Sequence, residues 1–179
     1  MKKNRKHQKI LDKLKVIQAD ITTLKVDAIV NSAHDSLMGG SGVDGAIHKA
    51  AGPLLLQECM ILGGCEIGSA KITGAYNLPA RHIIHTVGPV WNGGSFNEEE
   101  LLASCYRESL ELARQYNIKT IAFPSISTGA FAYPIEQASI IALKTVSDYL
   151  TKHNGIEKVI FVVFSDKDLV VYTNALNVI

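Results

Sequence analysis

The sequence predicts an α/β fold in which helices cover both faces of a mostly parallel sheet. Short apolar runs alternate with helical patterns along the chain, the order that builds such a sandwich. Two of the runs, Thr120–Phe123 and Lys158–Phe164, are nearly continuous in apolar residues, as central parallel strands covered on both sides should be. No internal repeat, low-complexity stretch or linker interrupts the 179 residues. One domain of that length buries roughly 70% of the surface its unfolded chain exposes.

Taken in order, Met1–Lys9 carries Lys2, Lys3, Arg5, Lys6 and Lys9 with little apolar content. It reads as a solvated, partly disordered tail, with a weak phosphate or nucleic-acid contact as the alternative. The tail is taken as residues 1–12 and the folded domain as 13–179. Leu14–Ala19 and Ala28–Ser32 are short, rich in Val and Ile, and bounded by turn-compatible residues, so they read as strands. Val43–Ala51 and Pro53–Ile61 read as helices, the second opened by a proline in its first turn. Ala70–Ala75 and His82–Val87 read as strands. Glu99–Tyr116 places Leu101, Leu102, Cys105, Leu110, Leu112 and Ala113 on one helical face. Pro134–Leu150 is an amphipathic helix between the two most apolar strands, and a last helix runs from Lys167 to about Leu176.

Composition narrows the function. A hydrophobic content of 47% and a charged content of 20% are ordinary for a globular chain. The formal net charge of +1 gives no basic footprint for nucleic acid. Cys59, Cys65 and Cys105 form an odd set without CxxC spacing, which argues against a disulfide framework and for a reducing compartment. No apolar run approaches the roughly 18 residues that span a bilayer. The basic start lacks the apolar core of a secretory signal. A cytoplasmic location is therefore expected.

Two loops are shaped for an anion. Gly39-Gly40-Ser41-Gly42 follows a strand and precedes the helix at Val43. Glycines there permit close backbone approach to a ligand, and the helix N-terminus directs unpaired N–H groups outward. Ser125-Ile126-Ser127-Thr128-Gly129-Ala130-Phe131 repeats the arrangement between the strand ending at Phe123 and the helix near Pro134. Either loop alone is as well explained by a tight strand-to-helix turn with nothing bound. Together, at the carboxyl ends of strands, they suit a diphosphate. Neither contains lysine or arginine, so the backbone would do the binding. There is no GxxxxGK[ST], and Gly40-x-Gly42 makes a poor dinucleotide fingerprint.

These segments also carry a resemblance. Asp27-Ala28-Ile29-Val30-Asn31-Ser32-Ala33-His34, followed by Leu37-Met38-Gly39-Gly40-Ser41-Gly42-Val43-Asp44-Gly45-Ala46-Ile47-His48-Lys49-Ala50-Ala51-Gly52, resembles the macrodomain signature DAIVNAAN…GGGGVDGAIHxAAG. The likeness continues through Gly63-Gly64-Cys65, Ala70–Thr73, Leu78–Pro89 and Ile121–Pro134, and so covers roughly residues 15–176. It implies a three-layer α/β/α sandwich with a mixed, mostly parallel sheet. The GVDG version resembles the MacroD-type class, whose members remove ADP-ribose from aspartate and glutamate and deacetylate O-acetyl-ADP-ribose.

By that resemblance, Asp20 accepts the adenine amine with the Ile21 backbone beside it, and Phe164 packs on the adenine. Asn31 sits at the distal ribose, Asp44 is the catalytic aspartate, and Phe131 orients that ribose. Gly42, Val43, Ser127, Thr128, Gly129, Ala130 and Phe131 form the diphosphate cradle, and Gly40 and Ser41 also bind the ADP-ribose. Two departures stand out. The family's second asparagine is His34, and the third glycine of its run is Ser41. An imidazole nitrogen donates or accepts, whereas the amide it replaces does both at once. His34 is therefore expected to keep part of the sugar contact and, with Asp44 and Asn31, to belong to the catalytic group.

Asp44 could instead be a helix-initiating residue favoured by the macrodipole. Within the signature, the expectation is that Asp44 and the substrate diphosphate hold and polarise a water, with positioning supplying most of the effect. Neither a metal nor a cofactor is required. His82 and His85 have HxxH spacing but, three apart on a strand, point to opposite faces. His48, one turn after Asp44, reads as packing or as support for it. Cys59 and Cys65 lack the further ligands of a zinc-dependent macrodomain branch. Ser127-Thr128 lacks a histidine–carboxylate relay. Trp91 and Phe96 read as a surface lid or packing cluster.

The sequence thus predicts an ester hydrolase acting, as a monomer, on ADP-ribose derivatives: O-acetyl-ADP-ribose or mono-ADP-ribosylated proteins. The alternative is a non-catalytic reader of ADP-ribose using the same pocket.

Overall fold

The computed structural model describes residues 2–179, with side chains from Arg5 onward; Met1, the first residue of the basic segment, lies outside the described residues. Among the described residues, six strands form one sheet: β1 (Leu14–Gln18), β2 (Ala28–Ser32), β3 (Ala70–Gly74), β4 (His82–Thr86), β5 (Thr120–Pro124) and β6 (Lys158–Val163). The order across the sheet is β1-β6-β5-β2-β4-β3. All neighbours run parallel except β3, which pairs antiparallel with β4 at the edge. The sheet is mixed and mostly parallel, as the sequence predicts.

Helices α2 (Gly42–Ala51) and α3 (Pro53–Leu62) cover one face. Helices α4 (Glu98–Gln115), α5 (Ile135–Lys152) and α6 (Asp166–Leu176) cover the other. The two cores follow from the two-residue period of the strands. Val30, Ile84, Phe123 and Phe161 point toward α4–α6, while their chain neighbours Ile29, Ile83, Ala122 and Ile160 point toward α2 and α3. The larger core is filled by aromatics, with the Tyr106 and Phe123 rings 5.0 Å apart and Phe123 stacked over Phe161 at 6.1 Å. Every expected helix and strand is present, with ends within a residue or two of those read from the sequence.

The basic segment is a correction. Lys2–Leu11 forms a helix, α1, rather than a disordered tail. Its described polar residues, Arg5 to Lys9, are exposed, whereas Ile10 is 7% exposed within the larger core and Leu11 packs against it. Its Lys, Arg and Gln residues tolerate a helix well, but ten residues alone are marginal in water, so the two apolar residues at its end anchor it by packing. A side-chain bond from Gln8 to Asp12 (2.9 Å) joins its last turn to the link with β1.

This anchoring is measurable. Ile10→Ala should cost about 2 kcal/mol in urea unfolding, the lower end of buried Ile→Ala changes. A tail residue would cost no more than about 0.5 kcal/mol.

Candidate active site

A cleft of about 460 Å³ opens at the carboxyl ends of the parallel strands β1, β6, β5 and β2. That is where strand-to-helix loops converge and where α/β folds place ligands. Its walls are the turn after β1, the β2–α2 loop with the start of α2, and the β5–α5 loop.

The β2–α2 loop is held by a close backbone contact. Gly45, in the first turn of α2, lies so near the Gly40 carbonyl that a Cβ on it would sit 2.3 Å from that oxygen. Gly40 in turn faces the His34 ring, where a Cβ would fall 2.5 Å from the imidazole Cδ2. Two glycines therefore let the loop fold back over the helix and leave room for His34. Ser41 is the N-cap but makes no capping bond with its side chain. The first helical bond runs from the Gly45 amide to the Ser41 carbonyl at 3.3 Å, so the Gly42, Val43 and Asp44 amides donate to no acceptor among the described residues.

The β5–α5 loop faces it. Ser127 sits at φ +65°, a conformation L-residues avoid, and is 3% exposed. Gly88 makes this possible, because a Cβ there would lie 2.0 Å from the Ser127 Oγ. The loop is tied down by Tyr133 N–H donating to the Ser127 carbonyl (2.9 Å), Trp91 N–H to the Phe131 carbonyl (2.8 Å), and the Tyr172 hydroxyl to the Ser125 Oγ (2.9 Å). Among the described residues, the amides of Thr128, Gly129, Ala130 and Phe131 donate to no protein acceptor. Two sets of unpaired N–H groups thus line one cleft, the arrangement that binds anions without a cationic side chain.

Asp44 lies on the wall between them, 2% exposed. Its Oδ1 accepts from Asn31 Nδ2 at 2.8 Å and has His48 Nε2 at 3.5 Å, while its Oδ2 has no partner among the described residues. A buried carboxylate oxygen without a donor is costly unless water or a ligand supplies one.

At the far end, Asp20 caps the short 3-10 turn Ile21–Thr23, its Oδ1 accepting from the Thr22 amide (2.9 Å) and hydroxyl (2.7 Å). Phe164 follows β6 on the neighbouring strand and is 86% exposed at the rim.

Of the residues expected from the sequence, Asp20, Ile21, His34, Ser41, Gly42, Val43, Asp44, Ser127–Phe131 and Phe164 line this single cleft. His34 meets Phe131 edge to face at 5.7 Å. Two expected ligand contacts are not on the wall. Gly40 shapes the loop from beside His34. Asn31, expected at the ribose, is fully buried, and its visible partners are Asp44 and His85. Trp91 packs against Tyr133 at 4.7 Å, while the Asn92, Gly94 and Phe96 amides all donate to the Glu98 carboxylate. That segment buttresses the β5–α5 loop.

The sequence reading missed what lies behind Asp44. His82 and His85 do face opposite sides of the sheet, with His82 against Tyr116 at 5.7 Å. His85, however, is fully buried and sits opposite Asn31 in the β2–β4 register. Its Nδ1 is 3.2 Å from Asn31 Nδ2, and its Nε2 is 2.9 Å from the Thr73 hydroxyl. The available signal was two polar residues interrupting adjacent apolar strands, but it becomes visible only once their register is known.

His48, Cys59 and His85 place potential metal-ligating atoms within 4.8 Å of one another. Both nitrogens of His85 are already engaged, and burial pushes the Cys59 thiol up to about 11. The group therefore works as hydrogen-bonded packing rather than as a free donor set. Burial, helped by the nearby His48, also lowers His85 to about 3, so its ring is neutral at physiological pH.

The Macro domain family matches residues 30–142. A macro domain-containing protein of Chlorobaculum tepidum is 64% identical over 160 residues, covering 89% of this chain and 93% of its own. The human ADP-ribose glycohydrolase MACROD2 is 49% identical over 172 residues, covering 94% of this chain but 40% of its own length. Among solved structures, the Trypanosoma brucei macrodomain in complex with ADP-ribose superposes with a TM-score of 0.89 at 39% identity, covering 93% of this chain and 70% of that one.

The depressed His85 has a consequence for stability. The unfolded chain protonates this ring near 6.5 and the folded chain only near 3, so between those values the unfolded state binds the extra proton. The stability contribution is complete above 6.5 and drains away as pH falls toward 3. In urea unfolding between about pH 6 and 5, above the usual carboxylate range, the wild-type chain should lose about 1 kcal/mol per pH unit more than His85→Asn. Equal slopes for the two proteins would contradict a neutral buried His85.

Proposed function

The chain belongs to the macro domain family, and from that premise we propose that it binds ADP-ribose and hydrolyses ester-linked derivatives of it. The substrates in this reading are ADP-ribosyl esters on aspartate or glutamate of proteins, and O-acetyl-ADP-ribose. The observation that carries it is the placement of Asp44, a buried carboxylate with one unpartnered oxygen, between two rows of unpaired backbone amides.

A diphosphate fits those amides in chemistry and position, since both rows end in N–H groups that lack acceptors. Adenosine then extends toward Asp20 and Phe164, where one carboxylate oxygen and an exposed aromatic face are free for a purine. The distal ribose falls beside Asp44, His34 and Phe131. Asp44 and the substrate's own phosphate oxygens orient a water for attack on the ester, which releases ADP-ribose together with the free side-chain acid or acetic acid. Such a carboxylate works by positioning more than by basicity. His34 contacts the same sugar and tunes the rate. The relatives named for ADP-ribose hydrolysis, and the neighbour solved with ADP-ribose, support this reading. Three unpaired buried cysteines support a reducing, cytoplasmic setting.

Calorimetry with ADP-ribose should show saturable one-site binding. The protein should release ADP-ribose from a glutamate-linked target, and Asp44→Ala should lower that rate by about 100-fold or more while still binding ADP-ribose. Binding without turnover in the wild type would select the non-catalytic reader. Full turnover by a folded Asp44→Ala would refute the mechanism. His34→Asn should raise or lower kcat more than it changes ADP-ribose affinity.

A further inference from the structure

We propose that His85, held by Thr73, is a positioning residue that fixes the direction of the Asn31 amide and through it aims Asp44 into the cleft. The proposal rests on the reading of Asp44 as the group beside the reacting ester.

The argument is one of donors and acceptors. Asn31 presents the same side-chain atom to both Asp44 Oδ1 (2.8 Å) and His85 Nδ1 (3.2 Å). A carboxylate oxygen can only accept, so that atom must be the amide nitrogen, and both of its protons are spent. His85 Nδ1 must then be a bare acceptor, which leaves the ring proton on Nε2. That N–H needs an acceptor, and the Thr73 hydroxyl 2.9 Å away provides one, because its own proton goes to the Gly74 carbonyl at 3.0 Å. The Cys59 sulfur, 3.9 Å from the same nitrogen, adds a weak second acceptor. Each group has one consistent role: Thr73 sets the tautomer, the tautomer sets the amide, and the amide occupies one oxygen of Asp44. The other oxygen is left for water or substrate, and the Asn31 carbonyl oxygen remains buried without a donor.

Burial makes this direction firm. Asn31 and His85 are fully buried, and Thr73 is 2% exposed. Flipping the amide would set its oxygen against the Asp44 carboxylate, while flipping the tautomer would set an N–H against an NH₂ group. In a dry interior neither error is screened. The titratable groups facing His85 are His48, its ring 6.3 Å away, and Cys59; Asp44 lies one hydrogen bond further on. His48 and Cys59 come from the helices packed on this side of the sheet, and among the described residues no lysine, arginine or glutamate is a partner.

The first measurement is ¹⁵N NMR of the histidine rings in the full-length wild-type chain. A neutral ring with its proton on Nε2, unchanged between about pH 5 and 8, is expected for His85. A proton on Nδ1, or titration in that window, overturns the proposal. The second is a kinetic split with the glutamate-linked substrate. Thr73→Val removes the acceptor at nearly constant shape and should lower kcat on the order of 10-fold, with KM and the ADP-ribose Kd within about threefold. Thr73→Ser, which keeps the hydroxyl, should recover most of the loss. His85→Asn, which offers an acceptor oxygen near the Nδ1 position, should retain more kcat than His85→Leu. Equal kcat for Thr73→Val and Thr73→Ser, or a loss confined to KM, overturns the positioning role. If the wild type hydrolyses no ester, the functional reading fails, while the ring tautomer still decides the hydrogen-bond chain.

Discussion

One hydrogen bond, from Asn31 to Asp44, joins the strand that runs through the middle of the sheet to the helix that carries the carboxylate. Everything at the cleft is arranged around it. Asp44 is in the first turn of α2, where the helix N-terminus favours a negative charge and where the backbone amides are unpaired. A bond from β2 fixes how far that turn can move. Gly45 and Gly40 let the preceding loop close over the same turn without a side chain between them. The strand, the helix and the loop therefore share one constraint, and displacing any of the three would expose or unpair a buried polar group.

The opposite wall reaches the same end by other means. Ser127 adopts a strained left-handed conformation, and the surrounding bonds from Tyr133 and Trp91 hold it there. Glu98 organises the segment that carries Trp91 by accepting from three backbone amides. Rigidity on this side comes from a carboxylate that does not line the cleft, acting through an indole-bearing turn. Both walls thus present fixed N–H groups, and fixed dipoles stabilise charge without the reorganisation that mobile side chains require.

Much of this was legible in the sequence, for identifiable reasons. Near-continuous apolar runs at β5 and β6 read as strands covered on both faces, and the helix between them, like α4 before them, carried a clear 3.6-residue stripe. The two glycine-bearing loops announced where the backbone would be bare. Three features were hidden. Helix α1 has ten residues and only Ile10 and Leu11 to bury, so its order comes from the core it lands on rather than from its own pattern. Asn31, expected at the sugar, also donates to Asp44 from behind, a contact set by the alternation of β2 and by where α2 lands rather than by any local pattern. His85 looked like half of an HxxH pair, whereas its partner is set by sheet register, which no local window contains.

The cradle's composition has a consequence for how the protein selects anions in a crowded solution. Among the described residues, three aspartates and no lysine or arginine line the cleft, so the attraction these offer an anion comes from short-range peptide dipoles. Capture through dipoles displaces few condensed counterions, unlike capture by rows of ammonium or guanidinium groups. The cleft is therefore poorly suited to long polyanions, which are held by summed charge. It suits a compact anion whose oxygens can touch several amides at once, and such a fit persists when ionic strength rises.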